Sequence, residues 1–149
     1  MALAATMTTY SYPKSNNSNS RGNSANWNLA SHTSDGTIIL WMQRDVKEGK
    51  LDAVKGALKK LCELASTEEG CLTHTFAFNA DETQVYATEI FANFDALFGH
   101  MKSVGEVLPE IWENTNPVSL TITSTAEDQV RLKELLPAFP ITFLTNIDS

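Results

Sequence analysis

The sequence is poor in basic residues. Its 149 residues include 11 lysines and arginines against 18 acidic residues, which gives a net charge of −7. Only Lys14 and Arg21 precede Arg44 among the basic residues, and no acidic residue precedes Asp35, so the chain from Asp35 onward is more acidic than the whole. Nucleic acids and anionic lipid surfaces are contacted through clustered cations, and no apolar run approaches the roughly 18 residues of a membrane span. We therefore expect neither nucleic acid nor membrane among its partners.

Cysteine is scarce as well, since Cys62 and Cys71 are the only two. Their spacing of nine positions fits neither a CxxC redox pair nor a zinc site. Cys62 falls on the apolar side of a predicted helix and Cys71 opens a predicted strand, which are places where cysteine acts as a small buried hydrophobic residue. We expect both thiols to be reduced and inert.

Motifs for metals and phosphate-bearing cofactors are also lacking. There is no Gly-rich loop of the GxGxxG or Walker type. His74 and His100 fall on different predicted elements, and neither has a carboxylate at helical spacing that would complete a zinc or non-haem iron motif. The sequence therefore predicts no metal and no cofactor.

Residues 1–35 are rich in serine, threonine and asparagine and show no hydrophobic period. Such a segment cannot bury enough apolar surface to fold, so we predict a disordered tail in which His32 has no role, although Trp27 and Leu29 could dock weakly on the rest of the protein. The acid-poor composition also resembles an organelle transit peptide, more a plastid one than a mitochondrial one because it has a single arginine. We expect an intracellular, cytoplasmic location, or a plastid one if the segment is a transit peptide.

The chain from residue 36 onward shows a clear order of elements. A β-rich run over 37–46 is followed by a helical stripe over 51–65. Two strands, at 72–78 and 84–91, are joined by a polar hairpin loop. Asn93 can cap a second helix, whose apolar positions include Phe98. Asn116-Pro117 is expected to interrupt regular secondary structure before a strand over 118–123. This β-α-β-β-α-β order is the split βαβ pattern of ferredoxin-like domains.

Further elements are predicted around and beyond this core. Pro109 is expected to start a short turn with Ile111 and Trp112 facing inward. Thr125 can cap a third helix over 126–136, and 141–147 reads as a fifth strand. We therefore divide the chain into a tail, 1–35, and one α+β domain, 36–149, with a core at 38–104 and a C-terminal extension at 118–149.

The central portion resembles the antibiotic biosynthesis monooxygenase family of small dimeric α+β barrel proteins. Four segments carry the resemblance: Val46-Lys47-Glu48-Gly49, Glu68-Glu69-Gly70-Cys71, Glu89-Ile90-Phe91, and the run from Phe94 to His100. The resemblance implies a ferredoxin-like α+β fold with an antiparallel sheet, paired into a barrel, here with an extra C-terminal helix and strand. The chain departs from the family at His74, where an aromatic hydroxyl is frequent, and at Phe91, where tryptophan is frequent.

The resemblance narrows the function to a class. It implies a small cofactor-independent monooxygenase-like enzyme that acts on an aromatic or polyketide-like small molecule. Because the family also contains haem-degrading enzymes, isomerases and members without known activity, the fold does not determine the reaction. An isomerase or cyclase that uses histidine for proton transfer remains an alternative, as does a non-catalytic dimeric small-molecule-binding or stress protein. Haem also stays open, although the asparagine-histidine-tryptophan set of the haem-degrading members cannot be placed here.

Cofactor-free oxygenation requires a base, an apolar cavity and polar groups that hold the substrate. His100 and His74 are the candidate catalytic bases, because histidine titrates near neutrality. We expect them to border one pocket roofed by the helix of His100, with these candidates for substrate binding: Trp41, Tyr86, Phe91, Glu89 and Gln43. Each candidate also has a structural alternative, as a hydrogen-bonded core histidine, a core or interface aromatic, or a carboxylate paired at the rim of the sheet.

A four-stranded sheet with helices on one face leaves its other face exposed. Such a face is too large an apolar patch for a stable monomer. The sequence therefore predicts a two-fold homodimer.

Overall fold

The computed structural model of the chain describes residues 36–136 and 139–145, together with the backbone of residues 9–11. The order of elements is β1 (Thr9–Ser11), β2 (Ile38–Val46), α1 (Leu51–Ala65), β3 (Cys71–Phe78), β4 (Gln84–Phe91), α2 (Phe94–Ser103), α3 (Leu108–Asn114), β5 (Thr115–Ser124), α4 (Ala126–Leu135) and β6 (Ile141–Thr145). Apart from 9–11, the predicted tail lies outside the described residues, as does the end of the predicted fifth strand.

The strands form one six-stranded sheet in the order β1-β3-β4-β2-β5-β6. All neighbouring strands are antiparallel except β5 and β6, which are parallel. The four strands β3-β4-β2-β5 reproduce the ferredoxin-like arrangement, so the predicted α+β fold with its extra helix and strand is confirmed. The short strand β1 is not predicted by the sequence. It pairs with residues 75–77 of β3 at the edge of the sheet, so these three residues of the tail are not the disordered chain that we expected.

The helices cover one face of the sheet. The apolar stripe of α1 is buried against β3 and α3, as its period predicts. Helix α2 begins as predicted at Asn93, whose side chain accepts a hydrogen bond from the Ala96 N–H at 2.9 Å. Thr125 likewise caps α4, accepting a hydrogen bond from the Asp128 N–H at 3.2 Å.

The loop before β3 lies tightly against the start of α2. The Ala92 N–H donates to the Gly70 carbonyl at 2.9 Å, and a side chain at Gly70 would collide with Ala96. Glycine is thus required here for close approach of the backbone. This contact brings the end of the α1–β3 connection, including Glu68, next to α2.

Two β-bulges change which side chains face the helices. Leu72 is the extra residue where β3 shifts its register against β4, and Val118 is the extra residue where β5 shifts against β2. Strict alternation from His74 would place Leu72 on the same face, but Leu72 is 43% exposed, because the bulge resets the alternation. The strand β5 begins at Thr115, before the predicted break, since Pro117 is accommodated next to its bulge.

Two aromatic side chains are more exposed than we expected. Ile111 of α3 is buried as predicted, but Trp112 is 42% exposed and lies beside Phe139, with ring centroids 6.5 Å apart. Phe98 of α2 is 38% exposed and has the Lys102 ammonium over its ring at 4.2 Å. Trp112 nevertheless lines the cavity between the sheet and the helices, so its inward orientation is partly right. Phe98 lies at the margin of the helix face that contacts the sheet.

Candidate functional site

A cavity of about 80 Å³ lies between the sheet and the helices. A cavity that holds one water needs on the order of 10–15 Å³, so this space suits several waters or part of a small organic molecule. Its lining is almost entirely apolar, with contributions from β2, α1, β3, β4, α2 and α3. Three ionisable side chains of the described residues line it: Arg44, Glu89 and His100.

His100 lines the cavity from α2 and is 3% exposed. Its Nδ1 lies 2.7 Å from Glu68 Oε2, which is hydrogen-bond distance. The ring also packs against Phe91, with centroids 5.0 Å apart. Because Glu68 occupies the Nδ1 side, Nε2 is the ring nitrogen left for other partners. The pair therefore has the geometry of a base whose ring is oriented by a carboxylate.

His74 lies beside this pair on β3. Its ring centroid is 5.1 Å from that of His100, and its Nε2 is 3.6 Å from Glu89 Oε1, beyond normal hydrogen-bond distance. Burial, together with the neighbouring His100, lowers the pKa of His74 to about 3. His74 is consequently neutral at physiological pH and is a weak proton acceptor.

Glu89 pairs in register with His74 on one side and with Leu40 on the other. Its side chain is largely buried and lines the cavity. Burial raises the pKa of Glu89, which His100 partly counteracts and Glu68 reinforces. A carboxyl group with a raised pKa can exchange a proton nearer to neutral pH than an ordinary glutamate.

The structure brings together three of the predicted site residues, His100, His74 and Glu89. Phe91 is buried against His100 but does not line the cavity. The predicted single pocket bordered by both histidines is therefore only partly right, because His74 lies behind Glu89 and lines a separate crevice near Cys62.

The remaining predicted residues, Trp41, Tyr86 and Gln43, lie on the opposite face of the sheet. Trp41 and Tyr86 are 42% and 41% exposed, and Gln43 pairs in register with Tyr86. Tyr86 is three residues from Glu89, and alternation along a strand places residues an odd number apart on opposite faces. The prediction that these three side chains line the cavity is thus wrong.

Sequence reasoning missed Arg44 and Glu68. Arg44 is 2% exposed, its Nε–H donates to Thr115 Oγ1 at 2.6 Å, and burial lowers its pKa. The signal was available: Arg44 continues the inward alternation of Leu40 and Met42, so a cation falls on the apolar face of the strand. Glu68 is more distant in sequence and meets His100 only through the close approach of Gly70 to α2.

The fold also groups side chains that can bind metal ions. The donor atoms of His74, Glu89 and His100 all lie within 4.8 Å of one another, as do those of Glu68, Cys71 and His100. Our sequence argument against a metal considered only spacing along the chain, whereas these donors come from different elements. The absence of a metal therefore stays a prediction. Cys62 and Cys71 are both buried, as expected, and form no disulfide with one another. Burial, followed by Glu89 and Glu63, raises the pKa of Cys62 to about 11.

The model of the Antibiotic biosynthesis monooxygenase family matches residues 37–105, a little under half of the chain. This part of the chain is therefore similar to that family. No match to the sequence is found among curated proteins.

Several solved structures are similar in fold to this chain. MupZ from Pseudomonas fluorescens superposes with a TM-score of 0.67 at 23% identity, covering 75% of this chain and 91% of its own. A conserved protein from Methanosarcina mazei Go1 gives 0.53 at 20% identity, with 59% and 91% covered. A Chloroflexus aurantiacus protein provisionally named an antibiotic biosynthesis monooxygenase gives 0.52 at 18% identity, with 61% and 94% covered. Since the MupZ match covers more of the chain than residues 37–105, its fold shares elements outside the family match.

Among the helices of the described residues, none is long and apolar enough to cross a membrane.

Proposed function

We propose that this protein is a small, cofactor-independent, monooxygenase-like enzyme that acts on an aromatic or polyketide-like small molecule. The observation that carries the proposal is the placement of His100, which is buried, hydrogen bonded to Glu68 at 2.7 Å, and open to an apolar cavity. The match of residues 37–105 to the monooxygenase family model supports the same class of reaction.

The reaction suited to this site begins with removal of a proton. His100 takes the proton from an electron-rich phenol or from the methylene of an anthrone, which leaves a carbanion or its enolate. The anion transfers electrons to O₂ and forms a carbon–oxygen bond, and the peroxide then loses water to leave a ketone. The overall change is R₂CH₂ + O₂ → R₂C=O + H₂O, so the substrate supplies all the electrons and no external reductant is needed. The apolar lining suits both a hydrophobic ring and O₂.

Glu68, Glu89 and His74 have supporting roles in this proposal. Glu68 orients His100 and stabilises its protonated form, as a carboxylate partner does for a catalytic histidine. Glu89 lines the same cavity, and its raised pKa suits it to return a proton to the peroxide. His74 is held neutral, which avoids a second positive charge beside protonated His100.

We expect the protein to act as a homodimer. The face of the sheet that carries Trp41 and Tyr86 is without a helix layer in the described part of the chain, and both aromatics are exposed there. Two-fold pairing of this face with that of a second copy would bury it.

We also keep the expectation of an intracellular, cytoplasmic location, or a plastid one if the N-terminal segment is a transit peptide. The mass of the protein purified from its source would reveal removal of the first ~35 residues.

Oxygen uptake tests the proposed reaction. Purified protein is given 1,8-dihydroxyanthrone under ¹⁸O₂, and the rate without protein is subtracted. We expect one O₂ consumed per substrate and one labelled oxygen in the product. His100→Ala should lower kcat/KM by roughly 10²–10⁴-fold, whereas His32→Ala, in the tail, serves as the matched control and should leave it unchanged.

Three further results would contradict the proposed reaction or the role of His100 in it. Loss of activity on treatment with EDTA would contradict the cofactor-independent reaction and favour a cation at the His74–Glu89–His100 group. Deuterium exchange into a substrate without oxygen uptake would favour the isomerase or cyclase alternative, which the same His100–Glu68 pair supports. Full oxygenase activity in His100→Ala would remove His100 from the mechanism.

A further inference from the structure

The cavity has a second polar end, far from His100. Leu40 pairs with Glu89 and Arg44 pairs with Val85, so Arg44 and Glu89 lie four residues apart along the strand direction. At about 3.3 Å per residue this separates them by about 13 Å. Both side chains line the same cavity, and the residues between them are apolar.

Arg44 is held in a fixed orientation at its end. Its Nε–H donates to Thr115 Oγ1 at 2.6 Å, and the Thr115 hydroxyl donates to the Ile111 carbonyl at 2.6 Å. Thr115 is 2% exposed, so this relay lies inside the protein. The guanidinium also lies 5.7 Å from the centre of the Phe139 ring. One edge of the guanidinium is therefore anchored by Thr115, and the Arg44 side chain lines the cavity.

The guanidinium of Arg44 also has an unused donor. Nη1 of Arg44 is buried and has no hydrogen-bond partner among the described residues. No carboxylate of the described residues forms an ion pair with Arg44; the adjacent Asp45 instead accepts a hydrogen bond from Gln84 Nε2 at 2.8 Å. Burying an arginine without a counter-charge costs free energy. Such an arginine is common in sites that bind an anion.

We propose that Arg44 binds a carboxylate on the substrate and so sets the substrate class: an elongated apolar molecule with a carboxylate at one end. The carboxylate sits on the guanidinium, whose planar fork matches it in two hydrogen bonds. The apolar part fills the cavity toward the other end, about 13 Å away by strand spacing, where Glu89 and His100 lie. Only the identity of the reacting end rests on the proposed function; recognition of the carboxylate does not depend on it.

A pair of probes that differ only in charge tests whether Arg44 binds a carboxylate. Anthracene-2-carboxylate and the neutral anthracene-2-carboxamide have nearly the same shape, and their fluorescence reports binding without any reaction. We expect the wild-type protein to bind the carboxylate roughly 10–100-fold more tightly than the amide, as a charge-assisted hydrogen bond predicts. Arg44→Gln should bind both probes with the affinity that the wild type shows for the amide. Equal affinities in the wild type, or a preference that persists in Arg44→Gln, would overturn the proposal.

Controls separate this proposal from loss of folding and from the proposed reaction. Arg131→Gln removes an arginine that is exposed on α4 and should keep the full preference. If Arg44→Gln does not fold, Thr115→Val tests the relay, and it should weaken carboxylate binding while amide binding stays unchanged. Because the probes report binding without any reaction, a protein that fails to consume oxygen can still confirm or overturn the role of Arg44. Unchanged carboxylate binding in a folded Thr115→Val variant would count against the proposed anchoring.

Discussion

The two faces of the central strands differ in chemistry although their residues alternate along the same segments. On β2, Leu40, Met42 and Arg44 face the helices and line the cavity, whereas Trp41 and Gln43 lie on the open face. On β4, Glu89 faces inward and Tyr86 outward. The inward set supplies the cavity and its ionisable groups, and the outward set supplies exposed aromatic area.

The two faces meet two structural requirements that usually conflict, burial of ionisable groups and exposure of apolar surface. Burial shifts the pKa values of Glu89 and His74, as the proposed proton transfers require, while the proposed subunit association requires exposed apolar surface. Period-2 alternation lets one strand meet both demands. Substitutions on one face should therefore change reaction or titration, and substitutions on the other should change assembly.

The largest expected effect concerns assembly on the open face. A charge at Trp41 would be buried without a partner in the proposed dimer, so Trp41→Asp should convert the protein from dimer to monomer at micromolar concentration. Phe98→Asp is the matched control, since Phe98 is similarly exposed but lies on α2. Light scattering after size exclusion measures both. A wild-type protein that is already monomeric at this concentration would show that the open face is not an interface.

The next effect concerns the inward face, through Glu68. Glu68→Gln removes the carboxylate that orients His100 and should lower kcat roughly 10–100-fold with little change in KM, because Glu68 does not contact the cavity. The neighbouring Glu69 is exposed, and Glu69→Gln provides the control. A rise in KM at constant kcat would instead assign Glu68 to substrate binding.

A smaller effect is expected in the pH dependence of stability. Folding lowers the pKa of His74 from 6.5 to about 3, so below pH 6.5 the unfolded chain binds a proton that the folded protein excludes. The contribution of neutral His74 to the free energy of unfolding is therefore fully present above pH 6.5. It falls as the pH drops toward 3, by up to about 1.4 kcal/mol per pH unit. Glu89 has the opposite sign, because its raised pKa makes the folded state lose stability as the pH rises above 4.5.

Comparing variants isolates the contribution of His74. Urea unfolding between pH 7 and pH 4.5 should show a steeper loss of stability in the wild type than in His74→Gln. His32→Gln, in the tail, should behave like the wild type. Parallel curves for wild type and His74→Gln would mean that His74 is protonated in the folded protein.

The layout of the fold was predictable because its signals are local. The stripe of α1 and the caps Asn93 and Thr125 depend on residues within a few positions of one another, and each is found as predicted. The bulges at Leu72 and Val118 depend instead on the pairing of strands distant in sequence. A one-residue shift reverses the side chains beyond it, so the orientation of the start of β3, at Cys71 and Leu72, could not be deduced from alternation alone.

The site was predictable where alternation, rather than residue type, guided the choice. Glu89 and His74 face the helices, but Trp41 and Tyr86 were selected as aromatic residues suited to a pocket, and each stands next to inward residues in its strand. The same rule applied to β2 identifies Arg44. Glu68 could not be found this way, because its contact with His100 depends on the packing of a loop against α2.

The smallest effect is expected at the edge of the sheet, which belongs to neither face. Strand β1 pairs only residues 9–11 with β3, and a pairing of three residues adds little burial. Deleting residues 1–34 should lower the melting temperature by no more than a few degrees, and deleting residues 1–8, which spares β1, should have almost no effect. Differential scanning calorimetry of the two deletions and the full chain measures the difference that β1 makes. Identical values for the two deletions would show that β1 adds no stability, and collapse of the longer deletion alone would show that residues 9–34, Trp27 and Leu29 among them, contribute to the folded domain.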